Sequence, residues 1–291
     1  MELVVKNKYG YYELIDKPNL QEIESYYKNE YYQIPKGSYQ KKYSVEEIEY
    51  INNKLRQKYI IANSILNPEA INKKFLDIGC GEGWSLKFYS NLGWEVTGLD
   101  YSLYGCKQFN NQQQDNIIEG DIYLNIEDLI EQGKKFNCIY LLNVLEHVIE
   151  PLNLLENCYK LLSDNGVIVI QVPNDYSAVQ RNLLSCGFID QEFWISMPDH
   201  ISYFNVDGLI NIGREAGLNN KKIICDFPID LNLYNPETNY IKKPAEGNKC
   251  HLSRVKIENL LSEISDYKAN KLYEILADIG IGRNIIAFFT K

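Results

Sequence analysis

Three groups of residues in the chain have the types and spacing that chemistry requires. The first is the run Asp77-Ile78-Gly79-Cys80-Gly81-Glu82-Gly83, which follows a short apolar stretch and precedes a helical one. Glycines there tolerate positive φ and let a ligand approach the main chain, and a helix start presents free N–H groups. The second is Asp100, at the end of the next apolar run, where a carboxylate can accept both hydroxyls of a ribose. The third is the three histidines, His147, His200 and His251. The first two groups describe a pocket for an adenosine-like cofactor. The glycines run G-x-G-x-G, and Trp84 stands where a dinucleotide site needs a small residue; no G-K-[ST] follows, so a P-loop is excluded as well.

The elements that must position these residues alternate. Apolar runs at 74–79, 95–100, 116–122 and 166–174 read as strands, and 136–148 as a further strand, fourth in order, that enters a helix, with helical patterns at 83–93, 101–113, 125–133 and 151–163 and a turn at Asp164-Asn165-Gly166. That order predicts a parallel sheet with helices on both faces. Further on, 205–218 reads as a capped helix, 220–227 as a strand, 253–280 as mostly helical and 283–291 as a closing strand. The stretch about 175–204 reads as an insertion or lid, and 228–250 as polar loop. Before the sheet, 19–32 and 44–66 read as helices; Ser44 and Glu47 have capping-box spacing, and Val45, Ile48, Ile51, Leu55 and Ile61 share a face.

The segments "FLDIGCGEG", Asp100, "EGDI" and "NVLEHV" stand in the order and spacing of the class I S-adenosylmethionine-dependent methyltransferases, which the chain resembles over about 75–180. The resemblance implies a Rossmann-like α/β fold with a seven-stranded, mostly parallel sheet. It also implies a helical N-terminal extension or lid over 1–66 and a catalytic domain over 67–291, with substrate-side insertions near 175–204 and 228–275. S-adenosylmethionine is the implied cofactor. Gly79 and Gly81 would line its methionine part, with Asp77 at the turn. Asp100 would hold the ribose with Tyr101 beside it, Asp121 and Ile122 would flank the adenine, and Asn143 would lie near the sulfonium. Asp121 has a second reading, as the cap of the helix that follows. Tyr39 and Tyr43 are candidates for a lid over the cofactor, and Lys41 and Lys42 for contact with a phosphate on the acceptor or for a solvated charge pair.

A sulfonium is an activated donor, so such a protein mainly aligns nucleophile, methyl and sulfur; orientation supplies ~7–11 kcal/mol and a base adds roughly 10²–10⁴-fold. His200 leads as base or substrate contact, His147 follows with a base or a structural role, and His251 reads as incidental. Asn174, Tyr176, Trp194, Asp199 and Tyr203 are candidates for the acceptor pocket. Metal-ligand spacing is not evident, which points to no metal. The N-terminus and the closing "GIGRNIIAFF" resemble bacterial small-molecule methyltransferases of nucleotide-linked sugars or other glycan precursors. That implies O-methylation, with N- or C-methylation, a protein acceptor, or a noncatalytic cofactor-binding subunit as alternatives.

The bulk composition is compatible with this reading. The chain has 291 residues, enough for a large core, and a net charge of −9, which argues against nucleic acid or anionic lipid as a partner. The partner expected is a small molecule, nucleotide-linked in the narrower reading; a homodimer stays open. Seven cysteines, an odd number with no C-x-x-C, fit a reducing compartment. Lacking a signal-peptide pattern or an apolar run of ~20 residues, the chain is expected to be cytoplasmic.

Overall fold

The computed structural model describes residues 3–18, 42–66 and 72–291. Seven strands form one sheet in the order β5-β4-β3-β6-β7-β10-β9. They are β3 (Lys74–Ile78), β4 (Glu95–Asp100), β5 (Ile117–Glu119), β6 (Phe136–Leu142), β7 (Leu162–Pro173), β9 (Asn219–Cys225) and β10 (Asn284–Thr290). The pairs β3–β4, β3–β6, β4–β5 and β6–β7 are parallel, while β10 runs antiparallel between β7 and β9. This is the expected seven-stranded, mostly parallel Rossmann-like sheet.

Period-two alternation along the strands divides the core. Leu76, Ile78, Leu99, Ile139, Leu141, Ile168 and Ile170 pack on one face. That face is covered by α4 (Ile122–Glu131), α5 (Pro151–Leu161) and α7 (Val206–Glu215). Phe75, Cys138, Tyr140, Val167, Val169, Ile286 and Phe288 fill the other face, under α1 (Val45–Ile65), α2 (Trp84–Asn91) and α8 (Gly247–Asp278). Phe75 stacks on Tyr89 with ring centroids 3.8 Å apart, and the Tyr89 hydroxyl donates to that of Tyr140 at 2.9 Å. The buried phenols are thus paired, as dry polar groups must be.

Several local expectations are corrected. The N-terminal extension is not all helix: β1 (Val4–Lys6) and β2 (Tyr12–Leu14) form a hairpin, and β2 pairs with β8 (Ser202–Tyr203) in a separate small sheet. The turn is set by Asn7, whose side-chain oxygen accepts from the amides of Tyr9 (3.0 Å) and Gly10 (3.1 Å), with Gly10 at φ 101°. This is an Asx-type turn, and N-x-x-G between the run Leu3-Val4-Val5 and Tyr11-Tyr12 is the signal that could have revealed it. Helix 101–113 is shorter, with α3 covering Tyr104–Phe109 and a 3₁₀ turn Asn111–Asn116 after it. The expected turn at 164–166 lies within β7 as a register irregularity, where Phe136 pairs with Leu162 and Cys138 with Val167. The insertion holds α6 (Ala178–Ser185). The long α8 breaks at Ser265 (φ −178°, ψ 115°), whose hydroxyl accepts from the Lys268 amide. The expected helix 19–32 lies outside the described residues.

Helix α1 begins as expected. The Ser44 side chain accepts from the Glu47 amide (3.2 Å) and Glu47 returns a bond to the Ser44 amide (2.8 Å). Its buried side differs from the apolar stripe: Val45 is exposed, whereas Asn53, Lys54, Gln57 and Lys58 are buried beside Leu55 and Ile61. The cause is a polar seam with α8, in which Asn53 donates to Asn259 (3.0 Å), Gln57 donates to Ser262 (3.1 Å) and Arg56 pairs with Asp266 (2.5 Å). Replacing Ser44 by Ala removes the reciprocal cap, and an equilibrium urea titration is expected to show a loss of about 1 kcal/mol; a change near zero would mean α1 is held by the seam alone.

Candidate functional site

The turn after β3 is built from glycines with positive φ. Gly79 has φ 72° and no room for a side chain, since a Cβ there would lie 2.5 Å from Val144 Cγ2. Gly81 has φ 51°, and a Cβ there would meet nothing within 4 Å. Gly79 is therefore required by packing and Gly81 by backbone conformation, and the side of the turn at Gly81 lies open. The Gly81 amide donates to Asp100 Oδ2 at 2.7 Å, and the Ser102 amide donates to Oδ1 at 3.0 Å. Asp100 thus closes the ends of β3 and β4 on one another. Asp77 is buried, bonded through Oδ2 to the Ser85 hydroxyl, while Oδ1 has no partner. Burial pushes its carboxyl up to about 7.

Asp121 is the cap of α4: Oδ1 accepts from the amides of Tyr123 (2.8 Å) and Leu124 (3.0 Å), and Oδ2 accepts from the Tyr101 hydroxyl at 3.3 Å. Ile122 is buried in the first turn of α4. Asn143 follows β6 with φ 58°, and its side-chain oxygen accepts from Gln171 at 2.6 Å. The Tyr43 hydroxyl donates to Glu82 at 3.0 Å, and its ring meets Trp84 and Phe109 edge-on. Trp84, the residue that argues against a dinucleotide, is held by a bond from its ring N–H to Glu82 at 2.7 Å. Tyr39 and Lys41 lie outside the described residues.

A second cluster forms where the 3₁₀ turn Leu145–His147 meets the insertion. His147 Nδ1 lies 2.7 Å from the Asp199 carbonyl and 3.4 Å from its carboxylate, and Nε2 lies 3.8 Å from Glu146 Oε1. His200 packs edge-on against His147 at 4.9 Å between ring centroids. Its Nδ1 is buried without a hydrogen-bond partner, as are both Glu146 oxygens. Burial works against a charge on His147, but Glu146 and Asp199 outweigh it and push the imidazole up to about 9. Burial, then the charge on His147, pulls His200 down to about 4. Glu146 is lifted by burial to about 7. One imidazole is therefore charged and its neighbour neutral at pH 7. Glu146, His147 and His200 each offer a ligand atom, all within 4.8 Å of one another, so they could also hold a metal ion. The sequence reading did not include Glu146, and the trio joins the adjacent Glu146 and His147 of one 3₁₀ turn with His200 from a distant segment, a contact that no local spacing reveals.

Of the other acceptor candidates, Tyr176, Trp194 and Tyr203 share one buried cluster, and Asn174 lies apart from it. Asn174 is buried and donates to the carbonyls of Gly280 (3.4 Å) and Gly282 (3.1 Å), holding the approach to β10. The Tyr203 ring is buried and its hydroxyl donates to the His200 carbonyl at 2.9 Å, so it fixes the backbone of the histidine. Tyr176 stacks on Tyr12 at 4.0 Å and meets Trp194 at 5.2 Å, with its hydroxyl donating to Glu192 at 3.0 Å. His251 lies 3.6 Å from Glu47 and 3.1 Å from Arg254, near the start of α8.

A family model for a methyltransferase domain matches residues 51–223. The chain is 35% identical over 130 residues to the ubiquinone biosynthesis O-methyltransferase of Glaesserella parasuis, covering 42% of this chain and 53% of that protein. It is 31% identical over 170 residues to the protein of that name from Coxiella burnetii, covering 57% and 70%. The chain spans about half the length of the first curated relatives it matches. Among solved structures, a methyltransferase from Archaeoglobus fulgidus shares the fold, with a TM-score of 0.51, 21% identity and coverage of 84% of this chain and 94% of that one.

The pair Glu146–His147 has a pH signature. His147 is raised from 6.5 to about 9, so its contribution to stability is fully present below 6.5 and lost as pH rises through 9. Glu146, raised from 4.5 to about 7, acts in the same direction, because the folded state keeps its proton longer. The urea midpoint is expected to fall between pH 6.5 and 9, and His147→Gln to flatten that fall; equal slopes in the two proteins would show that His147 is not the group responsible.

Proposed function

We propose, since this chain belongs to the methyltransferase-domain family, that it transfers the methyl group of S-adenosylmethionine to a hydroxyl oxygen of a small molecule. The observation that carries this reading is the Asp100 carboxylate bonded to the Gly81 amide beside the open face of the glycine turn. The residues fit the cofactor. Asp100 stands at the ends of β3 and β4 beside the turn, Gly81 leaves room for close approach, and the unpartnered Asp77 Oδ1 suits a cationic or hydroxyl donor. When bound, the cofactor supplies an activated methyl on a positively charged sulfur. Asp121, with Oδ1 committed to the helix cap, would meet an adenine amine through Oδ2, the oxygen that Tyr101 already touches.

The histidine pair supports an oxygen acceptor. His147, charged by Glu146 and Asp199, keeps its neighbour His200 neutral, and the buried Nδ1 of His200 has no protein donor. That nitrogen can accept the acceptor's hydroxyl proton as the oxygen–carbon bond forms. Tyr203 and Asp199 act as positioning residues for the two rings. Relatives named O-methyltransferases also support a hydroxyl acceptor. Those relatives are named for ubiquinone biosynthesis, so the narrower expectation of a nucleotide-linked sugar or glycan precursor draws no support from them.

Methyl transfer from radiolabelled S-adenosylmethionine to hydroxylated small-molecule pools is the direct test. His200→Ala is expected to lower the rate by about 10²-fold or more while calorimetric affinity for S-adenosylhomocysteine stays unchanged; equal turnover would remove His200 as the base. For Asp100→Ala, affinity for S-adenosylhomocysteine should fall at least about tenfold, since two charge-assisted contacts are lost; an unchanged affinity would undo the ribose assignment. Binding without turnover on every acceptor would favour a noncatalytic cofactor-binding subunit.

A further inference from the structure

The outer side of α8 carries apolar and charged residues that no described element covers. Up to its break at Ser265 the helix is regular, and its inner side there holds Cys250, Val255, Glu258 and Ser262, all buried. On the outer side Leu260 is 54% exposed and Ile264 is 64% exposed, and Ile257, Lys256 and Glu263 are exposed beside them. At 3.6 residues per turn these five share one face. Leu260 lies on its midline. Lys256 and Glu263, two turns apart, stand on one flank; Ile257 and Ile264, also two turns apart, stand on the other. A single exposed apolar residue needs no explanation, but a contiguous row marks a contact surface. The two charges have no ion pair or hydrogen bond among the described residues. Residues three and four away from Lys256 include no acid, and those around Glu263 include no cation. Nor can the two serve one another, since two turns hold them roughly 10 Å apart.

We infer that this segment of α8 is the contact face of a homodimer, packed antiparallel against the same segment of a second copy about a twofold axis at Leu260. Such an axis reverses position along the helix and keeps each flank facing its own counterpart. Leu260 then meets its copy. One flank sets Lys256 against Glu263 of the partner subunit, twice by symmetry, and the other sets Ile257 against Ile264 of the partner subunit. The midpoint of the charged pair falls just before Leu260 and that of the apolar pair just after it, so one axis serves both. A parallel pairing would instead set Lys256 against Lys256 and Glu263 against Glu263, which is repulsive. An anionic membrane fits this face less well, because Glu263 stands in the row and the chain carries a net charge of −9. The break at Ser265 follows the last of these residues, so the whole set lies on regular helix. A contact of one helix pair is small beside an obligate interface, so the dimer is expected to depend on concentration. The inference goes beyond the methyl-transfer reading and does not depend on it.

Sedimentation velocity on the full chain, in a dilution series up to roughly 100 µM, reads the monomer–dimer equilibrium. Wild type is expected to dimerise. Lys256→Glu and Glu263→Lys each set like charges opposite one another and should each weaken the dimer about tenfold. The variant with both exchanges restores the two pairs and should return to within about threefold of wild type. Leu260→Asp puts two carboxylates on the axis and should leave only monomer. All three positions are exposed, so melting temperatures are expected to stay near that of wild type; should Leu260→Asp fail to fold, the charge exchanges carry the same comparison. Wild type that is monomeric throughout the series overturns the inference, as does a dimer indifferent to these variants. A double exchange no better than the single ones overturns the antiparallel pairing. If wild type stays monomeric but sediments with phosphatidylglycerol vesicles, and Leu260→Asp does not, the face meets a membrane and the homodimer is overturned.

Discussion

A single charge-assisted hydrogen bond organises the chemistry of this fold: the Gly81 amide donating to Asp100 across the ends of two parallel strands. Parallel strands leave their carboxyl ends side by side, and the chain must turn there without covering them. Gly79 takes the tight position against Val144, and Gly81 takes a left-handed conformation with open space beside it. Asp100 anchors the turn with one oxygen and the start of the next loop with the other. In the proposed reading the same side chain that holds the loops in place would also meet the ribose. Nucleotide sites at strand ends depend on this economy of backbone donors and one acid.

Around that centre the buried charges are arranged by pairing and by proximity. On one side, Glu146 and Asp199 keep His147 charged, and His147 in turn keeps His200 neutral. On the other, Lys54, Lys58 and Arg254 line a cavity together with Asp77 and Asp226, and Lys54 pairs with Glu258. Each cluster carries polar atoms without partners, which a folding requirement alone would disfavour.

The insertion after β7 depends on the N-terminal hairpin. Strand β8 is only two residues long, and it is held by pairing with β2 and by the fully buried Tyr203 ring. Tyr12 pairs with Tyr203 in this ladder and stacks on Tyr176. The tyrosine-rich N-terminus therefore fastens the segment that carries His200. A short strand of this kind is marginal by itself, so the position of the histidine depends on both ends of the small sheet.

Local chemistry determined much from the sequence alone: the alternating elements, the glycine turn, Asp100, the Ser44–Glu47 cap and the placement of the histidines after strands. Each of those rests on short-range rules, such as periodicity, positive φ and side-chain caps, that neighbouring residues settle among themselves. Tertiary structure decided the rest. It placed His200 against His147, a contact between segments far apart in the chain. It also turned Lys54 and Lys58 inward on a helix whose apolar stripe predicted another buried face. Asn174 and Tyr203, read as pocket residues, were spent on holding backbone. These outcomes follow from which helix faces which sheet edge and what polar seam forms between them, and long-range packing leaves no signature in local spacing.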